Sequence, residues 1–282
     1  MAKKDAIVLE FDEEKMLLRE AEVAKETDEE ILGRLGERFE ILNMMTHAVK
    51  DGDVRAMIVS GPPGVGKSFG VEEVLSKDDL FNTIAGREPC YEVVKGTMSS
   101  VGLYAKLYEY SEAGSVLVFD DCDGLFYDVL SLNLLKAALD TSERRFISWN
   151  TDSRLLRNEG IPDRFEFKGS VIFITNIKFA HVRSKGLKEH LNALESRCHY
   201  IDLEMDTQRE KILRIKQIVK DGMLNKYQFD QSMVDEMVQF VEDNRSRLRE
   251  LSLRMVLKLA DLRKSFPDKW QAMANTTCMI RT

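Results

Sequence analysis

The side chains with the clearest chemistry are Lys67 and Ser68, which end the run Gly61-Pro62-Pro63-Gly64-Val65-Gly66-Lys67-Ser68. This run has the pattern G-x-x-x-x-G-K-S, in which the glycines let successive backbone N–H groups point at one place. Those groups, with a helix N-terminus behind them, bind phosphate oxygens. We therefore expect residues 61–69, through Phe69, to bind the phosphates of a nucleotide. Lys67 is expected at the β- and γ-phosphates, and the Ser68 hydroxyl on Mg²⁺.

The elements around this run are those that the pattern requires. Met57–Val59 is a short apolar run typical of a buried strand, and Val71, Val74 and Leu75 follow it at helical spacing. An ordinary Gly/Pro turn between a strand and a helix is the alternative explanation, but it does not account for the pattern and its setting together. The sequence therefore predicts a site for a nucleoside triphosphate.

Polar residues follow two further apolar runs. Ser115–Phe119 predicts a buried strand, and it leads into Asp120, Asp121, Cys122 and Asp123. Because P-loop proteins hold Mg²⁺ and its water with a carboxylate at the end of such a strand, we assign Asp120 to the metal. Val171–Thr175 predicts another buried strand. Asn176 follows it, at the end where α/β sheets carry their chemistry.

The composition is that of a globular protein without a membrane segment. The chain has 282 residues, of which 44% are hydrophobic and 32% charged, and its net charge is −7. No apolar run approaches the ~20 residues of a membrane span, and the N-terminus lacks a signal-peptide pattern. The four cysteines are scattered without a C-x-x-C pair and predict neither a zinc site nor disulfides. We therefore expect a cytoplasmic protein with no membrane partner, and nucleic acid only at a local basic channel.

Four segments are expected along the chain. Residues 1–50 form an N-terminal helical segment, in which Thr27 and Glu30 make a capping box. Residues 51–203 alternate strands and helices and form the α/β nucleotide-binding domain. Strand patterns end near residue 203, so 204–265 is predicted to be a small all-helical lid domain, whose first helix begins at a second capping box, Thr207 with Glu210, and 266–282 a C-terminal tail.

One stretch of the α/β domain is less regular. Phe146–Trp149 and Phe165–Phe167 are expected to pair as a β-hairpin around a basic segment that carries Arg154 and Arg157. This excursion either projects toward a substrate or a ring channel, or is a surface loop without such a role. The residues leave both interpretations open.

In order along residues 30–265, five segments of the chain resemble motifs of the AAA+ ATPase family. They are GPPGVGKS (61–68) for Walker A, LVFDDCD (117–123) for Walker B, SVIFITN (170–176) for the sensor-1 strand, ALESRC (193–198) for the arginine-finger segment and ELSLR (250–254) for sensor 2. The resemblance implies an α/β fold with a five-stranded parallel sheet in the order 5-1-4-3-2, helices on both faces and a helical lid. It also implies that ATP and Mg²⁺ bind at the subunit interfaces of a homo-oligomer, commonly a hexameric ring.

The resemblance also implies roles for the residues at the strand ends. Lys67 and Ser68 match the phosphate and Mg²⁺ ligands, and Asp120 matches the carboxylate beside the metal. Asn176 matches the residue that helps to orient the attacking water near the γ-phosphate.

Two arginines complete the implied site. Arg197 matches the finger that a subunit inserts into its neighbour's site. Arg254 matches the sensor-2 arginine of the lid, although Arg247 and Arg249 are alternatives on the same short stretch.

The chain departs from the family pattern at two places. The family usually has Asp-Glu in Walker B, with the glutamate polarising the water, whereas this chain has Asp120-Asp121. An aspartate reaches about 1.5 Å less, and misplacement of ~1 Å can cost ~10²-fold in rate, so hydrolysis is expected to be slow unless the backbone compensates. The second departure is TMSSVG (97–102), which lacks the aromatic residue of peptide-threading pore loops.

The leading hypothesis is a ring-forming ATPase that couples Mg-ATP hydrolysis to remodelling of a macromolecular partner, either protein or nucleic acid. A helicase-loader-like role is one alternative, because Ser196-Arg197-Cys198 resembles clamp-loader sequences. A slowly hydrolysing, ATP-gated assembly switch is another, because of Asp121. A small-molecule kinase or GTPase is disfavoured, since TNIK (175–178) is not a guanine-binding motif.

Overall fold

The computed structural model describes residues 13–80, 84–179, 182 and 184–280. These residues divide into two compact units, of which the first comprises 38–61 and 67–203. The second comprises 13–37, 62–66 and 204–280. None of the helices in the described ranges is long and apolar enough to cross a lipid bilayer.

Strands and helices alternate along most of residues 56–202, and helices follow them. The strands are β1 (Ala56–Ser60), β2 (Tyr91–Lys95), β3 (Val116–Asp120), β4 (Phe146–Ser148), β5 (Arg164–Glu166), β6 (Ser170–Thr175) and β7 (His199–Asp202). Among the described residues, the α-helices with defined bounds are α1 (Glu13–Val23), α2 (Asp28–Lys50), α3 (Lys67–Asp78), α4 (Ser100–Glu109), α5 (Val129–Ala138), α6 (Arg154–Asn158), α7 (Lys185–Glu195), α8 (Gln208–Ile218), α9 (Gln231–Asp243), α10 (Leu253–Ser265) and α11 (Trp270–Thr277).

Five of the strands form one parallel sheet in the first unit. They lie side by side in the order β2-β3-β6-β1-β7, so the prediction of a five-stranded parallel sheet flanked by helices is confirmed. The labels differ from the expected 5-1-4-3-2 only because β4 and β5 are also numbered; counted within the parallel sheet alone, β7-β1-β6-β3-β2 is the fifth, first, fourth, third and second strand. The extra strands, β4 and β5, come between β3 and β6 and pair only with each other. Along the chain, β6 and β7 are therefore the fourth and fifth strands of the parallel sheet.

Both faces of this sheet are covered, which explains why its central strands are continuously apolar. Because side chains alternate along a strand, Ile58, Phe119 and Phe173 belong to one core cluster, together with residues of α4, α5 and α7. Their neighbours Val59 and Val118 belong to the opposite cluster, together with residues of α2 and α3. The carboxyl ends of β1, β3 and β6 are thereby fixed next to one another.

The predicted hairpin is confirmed. β4 pairs antiparallel with β5, and Ile147 lies opposite Phe165. Both of these side chains belong to the core on the α4 side of the sheet, and the Phe165 ring makes an edge contact with Tyr104 at 5.1 Å between ring centroids. Helix α6 lies between the two strands in sequence. The hairpin packs on the core of the first unit through Ile147 and Phe165.

The helices of the second unit have a core of their own. Its buried members come mainly from α8, α9, α10 and α11. Thr207 and Glu210 form the capping box predicted at the start of α8, and Thr27 and Glu30 form the one predicted at the start of α2. Helix α11 lies in the predicted C-terminal tail. Its Trp270 is buried, and the ring lies 5.0 Å from that of Phe240.

A buried carboxylate stabilises this second unit. Glu210 is completely buried, and its Oε1 lies 2.9 Å from Arg34 Nη2 and 3.2 Å from Arg19 Nη2. Its Oε2 accepts hydrogen bonds from the backbone N–H and the hydroxyl of Thr207. Burial opposes ionisation, but the hydrogen bonds from Thr207 and the two arginines outweigh it and hold the pKa of Glu210 below its usual value. The carboxylate therefore ties α8 to α1 and α2 as an ion.

Candidate functional site

Lys67 lies at the first position of α3, the helix that follows β1, and is buried. Its Nζ donates to the Gly61 carbonyl oxygen at 2.7 Å and to Asn176 Oδ1 at 2.8 Å. These contacts follow from the sheet, because Ser60 at the end of β1 is in register with Thr175 at the end of β6. A cation is thus fixed at the carboxyl edge of the sheet.

Ser68 and Asp120 are also brought together. The Ser68 hydroxyl donates to Asp120 Oδ1 at 2.9 Å. Asp120 is the last residue of β3 and is 5% exposed, so its charge is poorly screened by water. Asp120 Oδ2 lies 3.5 Å from Lys95 Nζ, which also lies 2.7 Å from Glu72 Oε1. The hydrogen bond to Glu72, and the charges of Glu72 and Asp120, raise the pKa of Lys95 despite some opposing desolvation.

Asp121 turns away from the sheet immediately after β3. Its φ is 53°, in the left-handed region that aspartate tolerates better than most residues, and its N–H donates to the Ile174 carbonyl at 3.0 Å. Asp121 Oδ1 accepts a 2.9 Å hydrogen bond from Asn176 Nδ2. Both side chains are exposed, whereas Lys67 and Asp120 are buried. Asn176 therefore connects the buried lysine to an exposed carboxylate.

Thr175 and Asp123, like Lys95 and Glu72, form a contact at the site that was not predicted from the sequence. Thr175 Oγ1 donates to Asp123 Oδ1 at 2.6 Å and accepts from the Ile177 N–H at 3.0 Å. Burial and the nearby charge of Asp121 raise the pKa of Asp123, against the opposing effects of the Thr175 hydrogen bond and Lys67. The acidic run after β3 was a signal for Asp123, but its partner could not be identified without the strand order.

Cys122 lies within the same acidic run but is not a reactive thiol. It is 4% exposed. Burial and the charges of Asp120, Asp123 and Asp121 raise the pKa of its thiol to about 11. At neutral pH the side chain is therefore protonated, and we assign it to packing.

The glycine-containing segment 62–66 belongs to the second unit. Gly64 and Gly66 have φ values of 71° and 104°, in the region that favours glycine. The Gly64 carbonyl accepts a 2.9 Å hydrogen bond from the Leu253 N–H. A Cβ on Gly64 would lie 2.7 Å from Ser252 Cβ, so this position requires glycine for its close approach as well as for its backbone. Pro63 is exposed and Val65 is buried within the segment.

The three arginines predicted as candidates for sensor 2 have different surroundings. Arg254 is the second residue of α10, and its Cγ would be 3.6 Å from a Cβ on Gly64. Arg249 instead donates its backbone N–H to the Cys278 carbonyl, and the Arg247 carbonyl accepts from the Ile280 N–H. Of the three, Arg254 is thus the one placed against the glycine-containing segment in the same unit.

The other two predicted residues make no described hydrogen bond with Lys67, Asp120 or Asn176. Arg197 follows α7, and its Nη1 donates to the Ala193 carbonyl. Its buried Nε has no hydrogen-bond partner among the described residues. The Phe69 ring, which follows Ser68, is 72% exposed.

The residues at the sheet edge fit a nucleotide phosphate with Mg²⁺. The Ser68 hydroxyl and the Asp120 carboxylate supply oxygens, which Mg²⁺ prefers, and Lys67 supplies a fixed cation for phosphate. Within the described ranges, no group of three or more His, Cys, Asp or Glu side chains could hold a metal. Mg²⁺ does not require one, because it is commonly bound by one or two side chains together with substrate phosphates and water.

Comparison with known proteins gives one relative at clear sequence similarity. The chain is 36% identical over 256 residues to the "Uncharacterized 36.7 kDa protein in nrdC-mobD intergenic region" of Enterobacteria phage T4. The match covers 90% of this chain and 77% of the phage T4 protein. This chain belongs to the family of that phage protein. No protein-family model matches this chain.

Solved structures give more distant similarities. Domain III of the Thermotoga maritima replication initiation protein DnaA is 15% identical, with a TM-score of 0.44, and the match covers 81% of this chain and 85% of that one. NtrX from Brucella abortus in complex with ATP is 11% identical, with a TM-score of 0.45, and the match covers 81% of this chain and 51% of NtrX. The replication initiator DnaA bound to AMPPCP and single-stranded DNA is 11% identical, with a TM-score of 0.39 and coverages of 83% and 63%. None of these structural similarities is close enough to assign a role to any residue of this chain.

Proposed function

We propose that this chain is a P-loop ATPase of the AAA+ type, which binds ATP with Mg²⁺ and hydrolyses it. The observation that carries the proposal is the hydrogen-bonded network at the ends of β1, β3 and β6. In it, Asn176 joins Lys67 to Asp121, and Ser68 is bonded to Asp120. The network brings an ammonium group, a hydroxyl with a buried carboxylate, and an exposed carboxylate to one edge of the sheet, and this supports the proposal because phosphoryl transfer to water uses groups of these kinds.

Each side chain of this network has a distinct task in the proposal. Lys67 orients the phosphates, since its ammonium is already held by Gly61 and Asn176. Ser68 and Asp120 hold Mg²⁺, which when bound neutralises charge on the phosphate oxygens. Asp121 accepts the proton of the attacking water, and Asn176 orients that carboxylate.

The identity of residue 121 supports a second candidate function. An aspartate at this position reaches less far than the usual glutamate, and its backbone conformation is fixed by the bond from its N–H to Ile174. If this geometry does not bring the carboxylate to the water, the chain is an ATP-gated assembly switch that binds nucleotide and hydrolyses it slowly.

The arginines support an oligomeric ATPase. Arg254 lies beside Gly64, so we assign it to the phosphates bound by the glycine-containing segment. Arg197 makes no described hydrogen bond or ion pair with Lys67, Asp120 or Asn176, in keeping with a residue that acts on a neighbour's nucleotide. We therefore propose a homo-oligomeric ring, with six subunits as the expected number.

The partner is proposed to be a macromolecule that the ring remodels. A helicase-loader-like role predicts stimulation of ATP hydrolysis by DNA, and a protein remodeller predicts stimulation by a protein partner. An assembly switch predicts ATP-dependent oligomerisation with little turnover. Phosphate release and sedimentation, measured for the chain alone, with DNA and with proteins captured by the hydrolysis-deficient Asp120→Asn variant, distinguish these three outcomes.

The ATPase assignment is tested by two substitutions with matched controls. We expect Lys67→Ala to weaken ATP binding at least tenfold, because the backbone amides alone do not neutralise the phosphate charge. Asp120→Asn is expected to retain ATP binding and lose Mg²⁺-dependent hydrolysis. The controls Lys77→Ala and Asp268→Asn remove the same charges at exposed positions and are expected to leave both activities unchanged. Normal turnover in Asp120→Asn would contradict the assignment of the metal site.

A further inference from the structure

A lysine at the end of β2 lies against the proposed metal-binding carboxylate. Lys95 is in register with Asp120 at the end of the adjacent parallel strand β3. Its Nζ lies 3.5 Å from Asp120 Oδ2 and 2.7 Å from Glu72 Oε1. The ammonium group is therefore shared between two carboxylates, one of which belongs to the site.

The two oxygens of Asp120 have different partners. Oδ1 accepts the hydrogen bond of the Ser68 hydroxyl, and Oδ2 faces Lys95. The side chain of Asp120 is 8% exposed, whereas those of Lys95 and Glu72 are 57% and 40% exposed. The carboxylate is thus buried against the site, whereas the ammonium and its second partner are both accessible to solvent.

A divalent cation at Asp120 would compete with this ammonium for the same negative charge and would repel it. Glu72 provides a second position for the ammonium, at the shorter of the two distances. Glu72 also lies one helical turn after Ser68 on α3. Ser68, whose hydroxyl is proposed to bind the metal, and Glu72, the second partner of Lys95, therefore lie on the same helix.

We propose that Lys95 is a positioning residue that sets the Mg²⁺ affinity of Asp120 by competing with the metal as an internal counter-ion, and that Glu72 holds the ammonium away from the carboxylate. The inference rests on the proposed function, since it takes Asp120 as a ligand of Mg²⁺. It has two consequences of opposite sign. Removing the Lys95 charge strengthens metal binding, and removing the Glu72 charge weakens it.

The test is an equilibrium titration of the full chain with Mn²⁺ in the presence of the non-hydrolysable analogue AMPPCP, with free Mn²⁺ followed by electron paramagnetic resonance and with the Mn²⁺ bound by AMPPCP alone subtracted from a protein-free titration. We expect Lys95→Met to lower the apparent Kd for Mn²⁺ about three- to fivefold and Glu72→Gln to raise it by a similar factor, the size of an exposed ion pair. Lys95→Arg keeps the charge and is expected to bind Mn²⁺ like the parent. A role of Lys95 in folding alone would not produce opposite shifts in these variants.

Two matched controls come from the neighbouring ion pair on α3. Lys77 and Glu73 lie 2.7 Å apart and are exposed, so Lys77→Met and Glu73→Gln make the same charge changes away from Asp120. Neither is expected to alter the Kd for Mn²⁺. If Lys95→Met binds Mn²⁺ like the parent or more weakly, the counter-ion role is overturned. If Glu72→Gln leaves the Kd unchanged, the role of Glu72 is overturned.

Asp120→Asn separates this failure from failure of the proposed function. If Asp120→Asn binds Mn²⁺ as tightly as the parent, or the parent binds no Mn²⁺ with the nucleotide, the metal site itself is wrong and the inference falls with it. If Asp120→Asn loses Mn²⁺ while Lys95→Met is unchanged, the metal site stands and only the inference about Lys95 is overturned.

Discussion

Asn176 donates a 2.9 Å hydrogen bond from Nδ2 to Oδ1 of Asp121. The orientation of the amide follows from chemistry, because its Oδ1 accepts from the Lys67 ammonium and a carboxylate cannot donate. Asn176 follows β6 and Asp121 follows β3, so this hydrogen bond joins the ends of two neighbouring strands at the exposed edge of the sheet. The carboxylate that we propose as the base is thus oriented by the side chain that also accepts a hydrogen bond from Lys67.

The first prediction concerns Asp121. Asp121→Asn is expected to abolish ATP hydrolysis while leaving ATP binding within about twofold, because asparagine tolerates the left-handed backbone but cannot accept the proton. Asp121→Glu is expected to hydrolyse at the parent rate or faster, since its carboxylate reaches farther, although the left-handed backbone is expected to lower stability by about 1 kcal/mol. Steady-state phosphate release, nucleotide affinity and thermal unfolding measure the three effects. Hydrolysis at the parent rate in Asp121→Asn would exclude the residue as the base.

The second prediction concerns Arg254 and its alternative Arg249. Arg254→Ala is expected to weaken ATP binding at least tenfold, because a charged hydrogen bond to phosphate contributes about 1.5–3 kcal/mol. Arg249→Ala serves as its matched control, since the backbone of Arg249 pairs with Cys278 rather than with the glycine-containing segment. Affinity is measured by titration with a fluorescent ATP analogue. Equal losses in the two variants would contradict the choice of Arg254.

The third prediction uses the depressed pKa of Glu210. The folded chain keeps Glu210 ionised at a pH where the unfolded chain, with a glutamate pKa of about 4.3, already binds a proton. The unfolded state therefore takes up more protons below about pH 4.3, and the free energy of unfolding falls as the pH falls through the folded pKa. The stabilisation is fully present above that range.

Glu210→Gln is expected to remove this part of the pH dependence and to lower stability at pH 7 by about 3 kcal/mol, because it leaves Arg34 and Arg19 without their buried partner. Urea unfolding between pH 3 and pH 7 measures both effects. Glu143→Gln removes an exposed carboxylate and is expected to leave the curve close to that of the parent. If the free energy of unfolding of Glu210→Gln depends on pH as that of the parent does, carboxyl groups other than Glu210 cause the pH dependence.

The local features of this chain could be predicted from its sequence. The buried strands, the glycine-containing segment and the capping boxes at Thr27 and Thr207 are each formed by residues close together in sequence. A short stretch of sequence therefore contains all the information needed to predict them. The short hairpin was also predictable, because its two apolar runs flank a polar segment. Helix α11 was missed as a separate element, since its eight residues are too few for a clear helical period.

Contacts within the site could not be predicted in the same way. Lys95 meets Asp120, and Asp123 meets Thr175, only because particular strands are neighbours in the sheet. The left-handed backbone of Asp121 is likewise imposed by its bond to Ile174 on the next strand. These relationships depend on strand order and register, and no short motif encodes either.

The last prediction asks whether Arg197 acts on a neighbour's nucleotide. An arginine supplied across an interface stabilises charge on the transferred phosphoryl group, an effect of roughly 10³–10⁵ in rate in GTPases. Arg197→Ala is therefore expected to bind ATP normally and to hydrolyse it poorly. Asp120→Asn is expected to be inactive for the opposite reason, since it lacks its own metal ligand but still provides the arginine.

Mixing the two inactive proteins under conditions that exchange subunits creates interfaces with Asp120 on one side and Arg197 on the other. Phosphate release is expected to recover in proportion to the fraction of such interfaces in the mixed rings. Arg249→Ala mixed with Asp120→Asn is the control for the exchange conditions, because Arg249→Ala should contribute active sites of its own. If Arg197 served the nucleotide of its own subunit, every site in the Arg197→Ala and Asp120→Asn mixture would lack one of the two residues. Exchange confirmed by mass spectrometry without any recovered activity would therefore refute the action of Arg197 across the interface.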